Sequence, residues 1–151
     1  MNNFDNTSNL KILTFDIFGT LLNLKDSLIP YLENNLQKSN ENTNFEIVWD
    51  TWRDRQRIEQ YQDNILMLGH SGYLKTCERA LLYTLDKHKI IYNNEQIENI
   101  MSGWYFLKPF DDVIERLPLL QKKFKLVILS NGEQNFLEHI KYLLSLFFIV
   151  V

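Results

Sequence analysis

Residues 11 to 21 read Lys-Ile-Leu-Thr-Phe-Asp-Ile-Phe-Gly-Thr-Leu, and few folds accept such a run. An apolar stretch that ends in a carboxylate and turns at once through Gly-Thr is the pattern of a buried parallel strand, which carries an acid to the carboxyl edge of a sheet where open α/β folds bind their ligands. Asp16 is therefore the first candidate for chemistry, as a nucleophilic carboxylate. Gly19 permits a bend that turns the amides after Asp16 toward its side chain, and Thr20 can orient the acid through its hydroxyl. Taken alone, the pattern fits a strand-capping aspartate before an ordinary turn equally well.

A second run of the same layout, residues 125 to 130, is continuously apolar and ends in Ser130-Asn131-Gly132. A helix over 133–145 follows, and residues 147–151 begin a third strand. Between the first two strands the period changes from strand to helix. Leu28, Ile29, Leu32 and Leu36 mark one helix, capped by Asp26 or Ser27 with Pro30 in its first turn. Phe45, Val48, Trp49, Trp52, Tyr61, Ile65 and Leu68 mark a second over 45–68, stopped by Gly69. A third, over 71–87, carries Leu74, Cys77, Leu81 and Leu85; a fourth, capped by Asn94, carries Ile97, Ile100, Met101 and Trp104. After Pro109, Asp112 and Glu115 read as a capping box for a helix with Ile114, Leu117 and Leu120 inward, shortened or kinked by Pro118. The expected organisation is α/β: a parallel-sheet core built from residues 10–24 and 108–151, with a helical insertion over 25–107.

With 151 residues, 45% of them hydrophobic and 23% charged, the chain can bury one modest core plus such an insertion. A net charge of −3 and no aromatic-basic stripe exclude an electrostatic case for nucleic acid. No apolar segment is long enough for a membrane span, and residues 1–9 show no signal-peptide pattern. The single cysteine, Cys77, excludes an internal disulfide, reads as a buried structural thiol and fits the cytoplasm. His70, His88 and His139 share no metal-ligand spacing.

If the two strands are neighbours, Asp16 and the Ser130-Asn131 pair meet at one edge, and the positive end of the following helix adds to an anion site there. Arg53, delivered by the insertion, is the cation that could close over it, although its place in the charged run 50–57 reads on periodicity as a solvated face. The three tryptophans read as packing.

Phe15-Asp16-Ile17-Phe18-Gly19-Thr20-Leu21, Trp52-Arg53 with Gln56, Trp104 with Leu107 and Pro109-Phe110, and Ile128-Leu129-Ser130-Asn131-Gly132 occur in this order over residues 10 to 150. Together they resemble the haloacid dehalogenase superfamily, and within it the type II 2-haloacid dehalogenases. The resemblance implies a Rossmann-like core with a helical cap, and an Asp16 that displaces halide from a small 2-haloacid to leave an ester for hydrolysis. It implies that Thr20 positions Asp16, and that the Ile17 and Phe18 amides with Ser130 and Asn131 hold the substrate carboxylate. Arg53 would accept the halide or help bind the acid. Superfamily phosphatases carry an acid two residues after the nucleophile, to protonate a leaving alkoxide. Phe18 occupies that position, which suits halide, and neither Mg2+ nor another cofactor is expected unless the chain is a phosphatase.

Full-length relatives supply a lysine after the third strand and a further strand ending in Ser, Asn and Asp. The sequence stops at Val151, before both, so the resemblance implies a truncated, incomplete core. In the superfamily topology the Asp16 strand lies in mid-sheet. Truncation would leave it as an exposed edge, favouring a homodimer or non-specific association and stalling the ester after one turnover. Two alternatives stay open: a phosphatase acting on a small phosphoester, and an inactive remnant that binds a partner.

Overall fold

The computed structural model describes residues 10–67, 69, 71–130, 132–143 and 149–150. They divide into two compact units, one formed by Met1–Asn23 with Lys108–Val151 and the other by Leu24–Leu107.

In the first unit, strand β1 (Ile12–Phe15) contains the apolar run before Asp16. It pairs in parallel with a later strand, Lys125–Ile128, residue against residue from Ile12↔Lys125 to Phe15↔Ile128. The ladder extends at both ends, Lys125 donating to the Lys11 carbonyl at 2.8 Å and Leu129 to the Phe15 carbonyl at 2.9 Å. The neighbourhood of the two strands is thus as expected.

Before that later strand comes a two-residue ribbon absent from the sequence-based expectation. Strand β2 (Leu22–Asn23) and strand β3 (Lys108–Pro109) pair antiparallel, Leu22 opposite Pro109 and Asn23 opposite Lys108. Phe110 donates to the Leu21 carbonyl at 3.1 Å beside it. The ribbon closes the chain on itself where it leaves the first unit and where it returns. Two residues carry too little alternation to announce a strand.

Lys125–Ile128 is β4, and β5 (Ile149–Val150) lies parallel on its other side, so the order is β1-β4-β5. Of the third strand expected over 147–151, the flanking positions lie outside the described residues. Leu126 and Ile128 of β4 are buried, whereas β1 is the outermost strand of the described sheet, with Ile12 51% exposed. The first strand is not buried as its apolar run suggests, Ile12 and Thr14 being exposed; among the described residues it is the edge strand that truncation was expected to leave, while β4 has a neighbour on each side.

Two helices complete this unit, and Val113, Leu117, Phe136, Leu137 and Ile140 are their buried residues. The first spans Asp111–Gln121. It starts two residues before the capping box would place it, with Phe110 at the N-cap and no side-chain cap bond. Asp111 and Asp112 lie in its first turn, where they favour the helix dipole instead of capping an amide. Pro118 is accommodated within the helix, and Ile114 is exposed rather than inward. The second spans Gln134–Leu143.

The Leu24–Leu107 unit is helical. Here α1 (Leu24–Leu36) starts earlier than its cap signals suggest, so Asp26 sits in the first turn and Pro30 inside the helix. Burial of Leu28, Ile29, Leu32 and Leu36 outweighs the amide hydrogen bond that proline forfeits. In α2 (Phe45–Ile65), Asn44 Oδ1 accepts from the Glu46 and Ile47 amides. Tyr61 and Ile65, expected in its apolar stripe, are 67% and 75% exposed, and Leu68 lies outside the described residues. Next, α3 (Tyr73–Lys87) begins after Gly72, and α4 (Asn94–Ser102) is capped by Asn93 rather than Asn94, in a reciprocal box with Gln96. The two helices of the first unit are therefore α5 and α6. Leu28, Leu32, Leu36, Trp52, Leu81, Leu85, Ile100 and Trp104 are all under 2% exposed. Trp52 meets Trp49 and Trp104 edge-on, at 5.7 and 6.1 Å, a geometry aromatic quadrupoles favour.

Candidate functional site

Asp16 follows β1 directly and is exposed at the carboxyl end of the strand. Thr20 Oγ1 donates to Asp16 Oδ2 at 3.0 Å, so the carboxylate is oriented by one oxygen while Oδ1 stays available. The turn that returns Thr20 to this place is wound around one carbonyl. Ile17 accepts from the amides of Thr20, Leu21 and Leu22 at 3.0–3.2 Å, and Gly19 donates to Leu22 at 3.1 Å. Gly19 has φ +86°, a conformation that an L side chain strains to adopt. Ile17 is fully buried and anchors the turn.

The carboxyl end of β4 emerges beside that of β1, because Phe15 pairs with Ile128. Ser130 is half-buried there, and its Oγ accepts from the Gly132 amide at 3.3 Å. Asn131, the second expected anion-holding residue, lies outside the described residues. The Phe18 ring is stacked on Phe136 of α6, with centroids 5.6 Å apart and planes inclined by 8°. Gly132 fits against this pair: a Cβ there would lie 2.9 Å from Leu137 and 3.2 Å from Phe18. Phe136 reads in the sequence as one more inward residue of a helix. Its contact with Phe18 is invisible there, because the two lie 118 positions apart.

Within the helical unit, Arg53 is half-buried on α2, not on a solvated face as periodicity suggests. Its guanidinium lies over the Trp49 ring at 5.7 Å and donates to Gln56 Oε1. Gln56 is itself buried. Tyr73, the first residue of α3, is 2% exposed, and Arg53 and Gln56 both bear on its phenol electrostatically. Burial pushes its phenol well above the usual tyrosine range, and the two groups only partly oppose this. The neighbouring arginines differ: Arg55 and Arg79 both pair with Glu59, and Arg57 with Asp54. Among the described residues, Arg53 pairs with no carboxylate. Gln56 was visible as part of the Trp52-Arg53 motif, whereas nothing in the sequence singled out Tyr73.

Cys77 is buried, and its carbonyl accepts from Trp52 Nε1 at 2.8 Å, a structural place as expected. His88 Nε2 meets Thr51 Oγ1 at 2.9 Å, His139 is exposed, and His70 lies outside the described residues. No group of three or more His, Cys, Asp or Glu that could hold a metal occurs among the described residues. None of their helices is long and apolar enough to cross a membrane.

The model of the haloacid dehalogenase-like hydrolases matches residues 10–151, nearly the whole sequence and both strand-end motifs. The chain belongs to the haloacid dehalogenase-like hydrolase family. No curated protein matches it. Its fold is that of solved haloacid dehalogenases. An L-2-haloacid dehalogenase superposes with a TM-score of 0.82 at 22% identity, over 94% of this chain and 63% of the other. The enzyme from Xanthobacter autotrophicus gives 0.76 at 22%, over 94% and 56%. A defluorinating L-2-haloacid dehalogenase gives 0.78 at 17%, over 95% and 60%. This family member thus spans about three fifths of the length of these relatives.

Proposed function

We propose that the protein acts as a 2-haloacid dehalogenase. Asp16 Oδ1 attacks C2 of a small 2-haloalkanoic acid; the C–O bond forms as the carbon–halogen bond breaks, and halide leaves with the bonding pair. Water then adds to the aspartyl carbonyl, releasing the 2-hydroxy acid and restoring the carboxylate with a proton set free. The observation that carries this reading is the Asp16 carboxylate held by Thr20 at a strand end, with an aromatic ring two residues on. A phosphatase would need a proton donor at that position for its leaving alkoxide, and Phe18 has none. Halide needs no proton, and no cofactor takes part in the reaction so written.

The remaining roles are those that the resemblance implies. The Ile17 and Phe18 amides, Ser130 and Asn131 hold the substrate carboxylate, and Arg53 serves the halide or the acid. Incubation with 2-chloropropionate tests the scheme. Chloride release is expected, together with a protein adduct equal in mass to the substrate less hydrogen chloride, both lost in Asp16→Asn. Chloride release that survives this substitution, or Mg2+-dependent phosphate release from a phosphoester in its place, overturns it.

A further inference from the structure

The residue two places after Asp16 is held more firmly than a surface turn requires. On either side of Phe18 the backbone is fixed: the Ile17 carbonyl accepts three amides, and the Gly19 amide donates to the Leu22 carbonyl. The ring, which two side-chain torsions could otherwise swing, is stacked on Phe136 with centroids 5.6 Å apart and planes inclined by 8°, an offset parallel arrangement that aromatic pairs favour. Phe136 has no room to retreat, since it is 3% exposed and shares the buried face of α6 with Leu137 and Ile140. Gly132 meets the ring's edge with backbone alone, because a Cβ there would lie 3.2 Å from Phe18 Cε2. Phe18 itself is only half-buried, so part of this fixed ring remains accessible.

Two residues of chain keep the Phe18 Cα within about 7 Å of that of Asp16, so the accessible part of the ring is apolar surface in the surroundings of an exposed carboxylate. We propose that Phe136 is a positioning residue: by backing the Phe18 ring it makes a rigid apolar wall that sets the chain length of the carboxylic acid accepted beside Asp16, favouring short alkyl chains over long ones. The acid's identity as a 2-haloacid rests on the dehalogenase reading; the wall rests on the first unit alone. An alkyl chain longer than the space allows must displace the ring, and a ring stacked against a packed helix yields only at the cost of overpacking. A slimmer side chain at position 136 leaves space behind the ring into which it can tilt, and the limit is then relaxed.

Calorimetric titration of the full chain with propanoate, butanoate and hexanoate tests the wall without turnover, and chloride release from the matching 2-chloro acids tests the dehalogenase reading beside it. The unmodified chain should bind hexanoate about tenfold more weakly than propanoate, within the range of an overpacking cost. Phe136→Leu and Phe136→Met, both apolar and able to fill part of the site, should narrow that ratio to about twofold. Phe18→Leu, at a half-buried position that leaves the packing of α6 in place, should do the same. In the Phe18→Leu background the Phe136 substitutions should not move the ratio further, because Phe136 acts through Phe18; a residue of purely structural importance would lower the melting temperature and leave the ratio alone. Absence of binding of any of the three acids overturns the proposal, as does hexanoate bound as tightly as propanoate by the unmodified chain, or a ratio that the Phe136 variants leave unchanged. The expected mutational pattern in binding without chloride release sustains the wall and refutes the dehalogenase reading; chloride release with the same chain-length profile in every variant sustains that reading and overturns the wall.

Discussion

At the scale of the residue, the Asp16 turn depends on two neighbours of very different kind. The Thr20 hydroxyl is worth one hydrogen bond to an exposed carboxylate, so Thr20→Val should lower kcat/KM about tenfold with little change in stability. Retention of full kcat/KM would show that the turn alone orients the acid. Gly19 contributes only its backbone, and Gly19→Ala at φ +86° should cost about 1–2 kcal/mol of stability, measured by denaturant midpoint at constant m-value. Tyr73 gives a pH signature. Its folded pKa is raised above the unfolded value of 10.0, so its contribution is intact below pH 10.0 and is lost as the pH rises beyond it, because the unfolded chain releases the proton first. Urea titrations should show stability falling above that pH, and Tyr73→Phe should flatten the decline.

Elements, in contrast, are decided by where their end groups find partners. Asn93 and Gln96 cap α4 reciprocally, and Asn93→Ala should destabilise the protein by about 1 kcal/mol, whereas Asn94→Ala, inside the helix, should leave it nearly unchanged. Equal melting temperatures for the two variants would contradict this assignment. The same spacing logic at Asp112 and Glu115 yields no box, because α5 begins at Asp111 and Asp112 is already within the helix. In α1 and α5 the prolines did not mark the helix boundaries. Burial of Leu28, Leu32 and Leu36 in α1 and of Val113 and Leu117 in α5 offsets the loss of one backbone bond in each.

The whole molecule comprises two units with different burial. The helical unit encloses three tryptophans and a set of leucines that exclude water almost completely, while β1 remains the outermost strand of the described sheet with half of Ile12 exposed. Hydrogen exchange should therefore be slowest in the buried turns of α3 around Cys77, Ala80 and Leu81, and faster in β1 than in β4. Uniform protection across β1, β4 and α3 would show a single cooperative unit in place of graded stability.

Sequence by itself determined the order of the helices and of the apolar strands and the position of Asp16 before a glycine turn. These follow from local periodicity, from glycine's access to positive φ and from the small set of ways a strand can present an acid. It also made the family recognisable, because four short motifs in fixed order survive large changes in the residues between them. Tertiary structure alone decided which face each ambiguous residue occupies. Arg53, in a run of charges, is half-buried with Trp49 and Gln56 of its own helix against it; Ile65, in a regular apolar period, stayed exposed because no element covers it among the described residues. The β2–β3 ribbon and the Phe18–Phe136 stack belong to the same class. Each joins residues distant along the chain, and no local pattern encodes which distant partner arrives.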